Sequence, residues 1–238
     1  RKFGWRRYHS ISTPPANNPA SMRLGIVALF VLLAAPGAHA ARPMVTDDAR
    51  ITDPHACQME TWVQLRENAR EFWALPACNP GGNFELTAGG AVAHADGSAH
   101  SGAVVVQGKT LFTPLGTNGW GIGLTAGTMR HPQVTTGGQD WHVYVPTSFL
   151  LGDDRVVVHT DVGWVREGET RRDRKTWGLG TEARLVSRTW LIAETFGQDQ
   201  GKPFYQAGLR HWLLPDRVQL DATCVNRNGS SSGDGFLS

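Results

Sequence analysis

Trp120-Gly121-Ile122-Gly123-Leu124-Thr125-Ala126-Gly127 sets apolar side chains at its even positions and small or polar ones at its odd positions. Successive side chains of a strand point to opposite faces, whereas a helix repeats its apolar positions at spacings of three and four. Period two therefore predicts a strand with one greasy face. Outward from this stretch the pattern returns. Trp141, Val143, Val145, Thr147 and Phe149 alternate with His142, Tyr144 and Ser148. Val156, Val158, Thr160, Val162 and Trp164 alternate with His159, Asp161 and Gly163, and Trp177, Leu179, Thr181, Ala183 and Leu185 alternate with Gly178, Gly180, Glu182 and Arg184.

The same reading predicts strands near 57–65, 71–78, 83–91, 103–113, 120–130, 140–150, 155–165, 176–186, 189–197, 204–213 and 218–227. Most have about the 9–11 residues that a tilted strand needs to cross a bilayer. The joins around 116–119, 152–154, 187–188 and 215–216 carry turn chemistry and are tight. Between them fall longer polar connectors at 94–101, 131–139, 166–175 and 198–203. Alternation of short and long connectors gathers the turns at one end and the loops at the other. The first hairpin is the exception, with a tight turn on the loop side. The expected fold is all-β: an up-and-down antiparallel transmembrane β-barrel of about twelve strands.

The last strand is expected to be truncated. Such a barrel normally closes with an amphipathic strand ending in an aromatic residue, whereas here a Gly/Ser-rich stretch leads only to Gly235-Phe236-Leu237-Ser238. Eleven strands and a stub predict an open edge, whose unpaired backbone is costly in lipid.

Tryptophan placement supplies the membrane. Trp62, Trp73, Trp120, Trp141, Trp164, Trp177, Trp190 and Trp212 all lie within a few residues of a predicted strand end. An amphipathic ring prefers the headgroup layer, so this spacing predicts two aromatic girdles; a soluble core would show no preference for strand ends. Trp190 and Trp212 share register with Glu194 and Arg210, which leaves their facing open.

The expected organisation is an upstream, non-fold segment at 1–21, a signal peptide at 22–40, a periplasmic entry segment at 41–56, and a barrel domain at 57–238. The signal is read from Met22-Arg23, the apolar run 24–35 and the small-x-small site Ala38-His39-Ala40. A transmembrane anchor would need about 20 apolar residues, and this run is shorter and ends at Pro36-Gly37. Residues 1–40 hold five basic residues and no acidic ones; subtracting those five from the chain's 23 leaves 18 basic against 21 acidic residues, a net charge of −3. The basic balance of the whole chain thus belongs to the leader, and nucleic-acid binding loses its compositional support.

A first hairpin turning at Glu67-Asn68 sets Cys57 opposite Cys78, Trp62 opposite Trp73 and Val63 opposite Phe72. An exported protein meets an oxidising compartment, so Cys57 and Cys78 are expected to form a disulfide. A redox-active pair would need a Cys-x-x-Cys spacing that they lack. Cys224 is left over.

With the apolar face toward lipid, the opposite positions face the lumen: Glu60, Glu85, Lys109, His159, Asp161, Glu182, Arg184 and Arg210 are the polar candidates, with Gln107, His142, Tyr144, Gln206 and Asp221 on the same face. Lys or Arg on the lipid face at midplane would cost about 2–4 kcal/mol, so their gathering onto one face permits insertion. The group reads either as a structural network of salt bridges filling the lumen or as a polar constriction for a small solute. Ser148, His159 and Asp161 could form a hydrolytic grouping, but no Gly-x-Ser-x-Gly motif supports it. No His-x-His or His-Glu-x-x-His cluster suggests a metal, and no cofactor is expected.

Arg42-Pro43-Met44-Val45-Thr46-Asp47-Asp48-Ala49, with Gln58-Met59-Glu60-Thr61-Trp62, Thr176-Trp177-Gly178-Leu179-Gly180 and Arg217-Val218-Gln219-Leu220-Asp221-Ala222-Thr223, resembles a group of Gram-negative outer-membrane β-barrels labelled as meta-pathway phenol-degradation transporters. The resemblance implies an outer-membrane barrel of about twelve strands that passes small aromatic or apolar molecules. It carries over no site residue.

The sequence therefore reads first as a non-enzymatic outer-membrane channel or transporter for a small solute, with outer-membrane lipid and the barrel-insertion machinery as its other partners. A secreted soluble barrel carrying an apolar ligand is the alternative, with the apolar face turned inward. A barrel enzyme acting on outer-membrane lipid through Ser148 and His159 is the third reading.

Overall fold

The computed structural model describes residues 44–65, 69–95, 98–133, 138–227 and 236–237. The segments expected as upstream sequence (1–21) and signal peptide (22–40) lie outside the described residues, as do the expected turn at Glu67-Asn68 and most of the Gly/Ser-rich stretch before Phe236.

Twelve strands form one antiparallel sheet: β1 Cys57–Leu65, β2 Ala69–Cys78, β3 Glu85–Ala95, β4 Ser98–Thr113, β5 Trp120–Arg130, β6 Gln139–Leu151, β7 Val156–Arg166, β8 Asp173–Val186, β9 Thr189–Gln198, β10 Phe204–Leu214, β11 Val218–Arg227 and β12 Phe236–Leu237. Each pairs with its sequence neighbours, and the ring closes as a barrel. Closure runs through β12, whose two residues meet β11 at Val225↔Phe236 and Cys224↔Leu237 and meet β1 at Leu65↔Leu237. The last strand is therefore short, but the expected open edge is bridged at the loop end.

Two connectors differ from expectation. β3 and β4 continue pairing to Ala95↔Ser98, and β7 and β8 to Arg166↔Asp173, so most of the expected loop 94–101 and the two ends of 166–175 are strand. Backbone ladder bonds hold these extensions, although their side chains no longer alternate between apolar and polar. The loop end now comprises the joins β1–β2, β3–β4, β5–β6, β7–β8 and β9–β10; the others form the turn end. At the turn end, Cys57 and Cys78 face each other across β1–β2 and are joined as a disulfide.

The large apolar side chains face outward, with Val162 68%, Phe112 65% and Leu220 62% exposed, while Lys109, His159, Glu182, Glu194 and Arg210 are buried inside. This is opposite to a soluble carrier with an apolar interior, so that alternative fails. Trp120, Trp141, Trp164 and Trp177 lie on the outer surface near strand ends. The other four do not fit the girdle reading. Trp62 and Trp73 stack inside the barrel, ring centroids 5.2 Å apart, and Trp190 and Trp212 face the lumen at the turn end. Parity explains the difference: Trp62 shares its face with Glu60, Trp190 with Glu194 and Trp212 with Arg210.

The lumen has two halves. Toward the loop end, Trp73, Ala91, Ala103, Val105 and Met129 form one inward apolar cluster, with Phe196, Phe204 and Val225 forming another. Toward the turn end the inner face is charged. The alternation predicted polar residues throughout the interior, and the apolar upper half corrects that expectation.

Candidate functional site: a plugged lumen

Residues 44–53, part of the stretch expected as a periplasmic entry segment, run inside the barrel from the turn end to its middle. The wall holds this segment by its backbone. Both carboxylate oxygens of Glu194 accept hydrogen bonds, one from the Val45 N–H and one from the Thr46 N–H, each at 2.8 Å. Asp161 accepts from the Asp47 N–H at 2.6 Å, Ser148 Oγ from the Ala49 N–H at 2.8 Å, and Glu85 from the Thr52 N–H at 2.7 Å and the Thr52 hydroxyl. An irregular segment in a lumen has no ladder partners for these donors, so wall side chains must accept them. Thr46, Asp47, Ala49 and Thr52 are all buried.

Side chains fix the register of the plug. Glu85, Lys109, Thr125 and Tyr144 follow one another across β3 to β6 in the ladder register. Lys109 Nζ lies 3.1 Å from Asp47 Oδ1 and 3.3 Å from Asp48 Oδ1, and Tyr144 donates to Asp47 Oδ2 at 2.9 Å. On the opposite wall, β8 makes room with glycine. A Cβ on Gly178 would come within 2.6 Å of Thr46 Oγ1, and one on Gly180 would overlap the Met44 terminal methyl. Asn79 ties the entry point, donating from Nδ2 to the carbonyl of Thr52 at 2.8 Å.

A second polar chain runs around the wall. Ser148 and His159 are cross-strand partners, with Ser148 Oγ 2.8 Å from His159 Nδ1. His159 Nε2 lies 3.2 Å from Glu182 Oε1, Arg210 Nη1 donates to the same oxygen at 2.6 Å, and Arg210 also forks onto Asp221, which takes a bond from Gln219. A Glu182 carboxylate can only accept, so the hydrogen of that link sits on His159 Nε2, and in the neutral imidazole Nδ1 is then left to accept from the Ser148 hydroxyl. The triad-like order Ser148, His159, Glu182 differs from the predicted grouping, in which Asp161 is the acid. Asp161 instead serves the plug. Ser148 is fully buried beneath Ala49, and its oxygen is already engaged, so the geometry is that of a pin rather than of an exposed nucleophile.

Alongside the plug, a cavity of about 520 Å³, lined by Met44, Thr46 and Asp47 as well as by Asp53, reaches the turn-end rim. Glu60, Glu85, Lys109, His159, Glu182, Arg184 and Arg210 of the predicted lumen set line it, together with Trp190 and Trp212. Arg184 reaches outward to the Asp154 carbonyl at 3.0 Å and lies 4.8 Å from the Trp190 ring centroid, so it belongs to the mouth rather than to the interior network. Sequence reasoning missed the roles of Glu194, Gly178, Gly180 and residues 44–53; the available signal was the run of inward glycines in β8, which leaves space for something other than its neighbours.

Fold and lumen together define a class: an up-and-down antiparallel β-barrel with an outward apolar surface and a lumen plugged by residues 44–53. The chain belongs to the family described as Uncharacterised conserved protein UCP029691, whose profile matches residues 28–233. Among solved structures it is similar to "KdgM porin in complex with disordered oligogalacturonate", at 8% identity and TM-score 0.57, covering 75% of this chain and 93% of that one. It is similar also to "KdgM porin", at 9% identity, the same TM-score and the same coverage. At these identities the likeness is one of fold. No curated protein matches the chain.

Proposed function

We propose that the chain is an outer-membrane channel for a small neutral or cationic solute, closed in this conformation by residues 44–53. The observation that carries this reading is the pairing of an outward apolar surface with a charged lumen blocked by a segment whose backbone is held by side chains of the wall. A structural filler would need no cavity at the turn end; here a chamber of about 520 Å³ runs beside the plug to the turn-end rim.

Charge narrows the solute. Glu182 and Arg210 neutralise each other, and Lys109 is taken up by Asp47 and Asp48. The whole cavity lining, plug included, carries eight carboxylates (Asp47, Asp48, Asp53, Glu60, Glu85, Asp154, Glu182 and Asp216) against four cations (Arg50, Lys109, Arg184 and Arg210). An acidic vestibule with low-dielectric walls concentrates cations and repels polyanions. The lining thus disfavours a polyanion such as the oligogalacturonate in the KdgM porin complex. Trp190 and Trp212 at the mouth offer flat apolar faces, which suits the aromatic solutes implied by the resemblance to phenol-pathway transporters. Export, insertion by the barrel machinery and contact with outer-membrane lipid belong to the same proposal.

The test is electrical. The purified full chain in a planar bilayer under a KCl gradient should show a reversal potential of the sign expected for cation preference, with long closed periods. Anion preference, or recovery of the protein wholly in the soluble periplasm, sinks the reading.

A further inference from the structure

We infer that the track holding residues 44–53 is a binding site for an extended acidic peptide, with the chain's own segment as its resident occupant. This rests on the channel reading for an accessible lumen; the acidic vestibule slows the entry of such a peptide, and the carboxylate pocket at Lys109 and Tyr144 selects for it once it is inside.

The track recognises peptide chemistry. Its fixed acceptors, Glu194, Asp161, Ser148 and Glu85, are spent on five backbone N–H groups spread over residues 45–52. Backbone donors are common to every peptide apart from proline, so the grip does not depend on the plug's own side chains. Selectivity comes from one place, where Lys109 and Tyr144 converge on Asp47, with Asp48 on the same ammonium. Thr125 lies between Lys109 and Tyr144 in the ladder and is fully buried, and its hydroxyl makes no hydrogen bond among the described residues. A donor left over beside two engaged donors marks a pocket for a carboxylate with more acceptor capacity in reach than Asp47 supplies. Glycines 178 and 180 complete the track by leaving backbone-wide clearance on the opposite wall.

The resident segment has the advantage of its tether. A short linker holds an attached ligand at an effective concentration on the order of millimolar, so a free peptide competes only when the tether is cut or the occupant weakened. Asp53, Pro54 and His55 are exposed at the turn end, which makes the tether accessible.

The experiment uses the full chain with a protease recognition sequence inserted between Asp53 and His55, folded, placed in detergent micelles and then cut. A fluorescent peptide with the sequence of residues 44–53 is titrated and its anisotropy read. The expected result is saturable binding to the cut barrel, at least tenfold weaker binding of the peptide carrying Asp47→Asn and Asp48→Asn, and no binding to the uncut barrel over the same range. A peptide carrying Asp47→Glu should bind at least as well as the parent. Absence of saturable binding to a cut barrel that keeps its heat-dependent gel mobility overturns the inference, whether the site stays empty or the cut segment never exchanges. Equal binding of the Asn-substituted or a scrambled peptide overturns it too. If the insertion blocks folding, the uncut chain carrying Asp47→Asn and Asp48→Asn replaces it, because its wall is intact and its occupant weakened; that chain must bind the parent peptide. Liposome swelling separates the two readings: peptide binding without any solute entry sinks the channel and leaves the peptide site, and solute entry without peptide binding does the reverse.

Discussion

Glu194 Oε2 lies 2.8 Å from the backbone nitrogen of Thr46, a contact across 148 residues of sequence. With Oε1 on Val45 it makes Glu194 a two-pronged acceptor at the deep end of the plug. Glu194→Gln replaces one acceptor oxygen with an NH₂ donor facing an N–H group. Hydrogen bonds to charged groups contribute about 1.5–3 kcal/mol each, so losing one loosens this end of the segment without touching the strand ladders. Hydrogen exchange should accelerate by about tenfold or more at Val45 or Thr46, whichever faces the new NH₂, while amides of β8 and β9 stay protected. Unchanged exchange at both would show that the carboxylate does not hold the plug.

The glycines of β8 predict a graded series. Gly180→Ala meets only the flexible end of Met44 and should be tolerated. Gly178→Val drives branched carbon into Thr46, which is stiff and hydrogen-bonded, and should expel residues 44–47. Added protease should then cut within 44–53 in the Gly178→Val chain and not in the Gly180→Ala chain, both retaining heat-dependent gel mobility. Equal resistance of the two would mean that β8 does not shape the plug site.

Most of the barrel is legible because the outer surface and the lumen impose opposite demands on alternate residues, as in Val156 to Trp164. Where both faces are small or polar, as at His94, Ala95, Ser98 and Ala99, the alternation vanishes and strand reads as loop. The inward tryptophans are legible in principle, since Trp62 is in phase with Glu60 and Trp212 with Arg210. The plug is not. Residues 44–53 have no period of their own, and the wall groups on their backbone lie 27 to 149 residues away, a distance over which a sequence carries no local signal.

Ser148→Ala separates the pin from the catalyst. It removes the acceptor for Ala49 and the donor to His159, and leaving a buried N–H unpaired costs about 1–3 kcal/mol. Faster exchange at Ala49 with unchanged chemistry on lipid substrates is the expected outcome. Loss of a lipase or acyltransferase activity measurable in the parent protein would instead make Ser148 a nucleophile and displace the channel reading.

Arg210 tests whether the wall network is a stability device or a specificity device. Its guanidinium is the shared partner of Glu182 and Asp221, and all three side chains are at most 9% exposed. Removing one member of such a group leaves uncompensated charge, and breaking a buried pair costs about 3–5 kcal/mol. Arg210→Met alone should therefore lower the urea midpoint of barrel unfolding substantially. Neutralising the acids as well, with Glu182→Gln and Asp221→Asn in the same chain, removes the stranded charges and should recover most of the loss, because the desolvation cost of the ions disappears with them. The Glu182→Gln change leaves an amide oxygen that can still accept the His159 Nε2 hydrogen. The link through His159 to Ser148 and Ala49 should therefore persist, and exchange at Ala49 should remain slow in the triple variant. Should the triple variant stay as unstable as Arg210→Met, the network stabilises through specific hydrogen-bond geometry rather than through charge compensation.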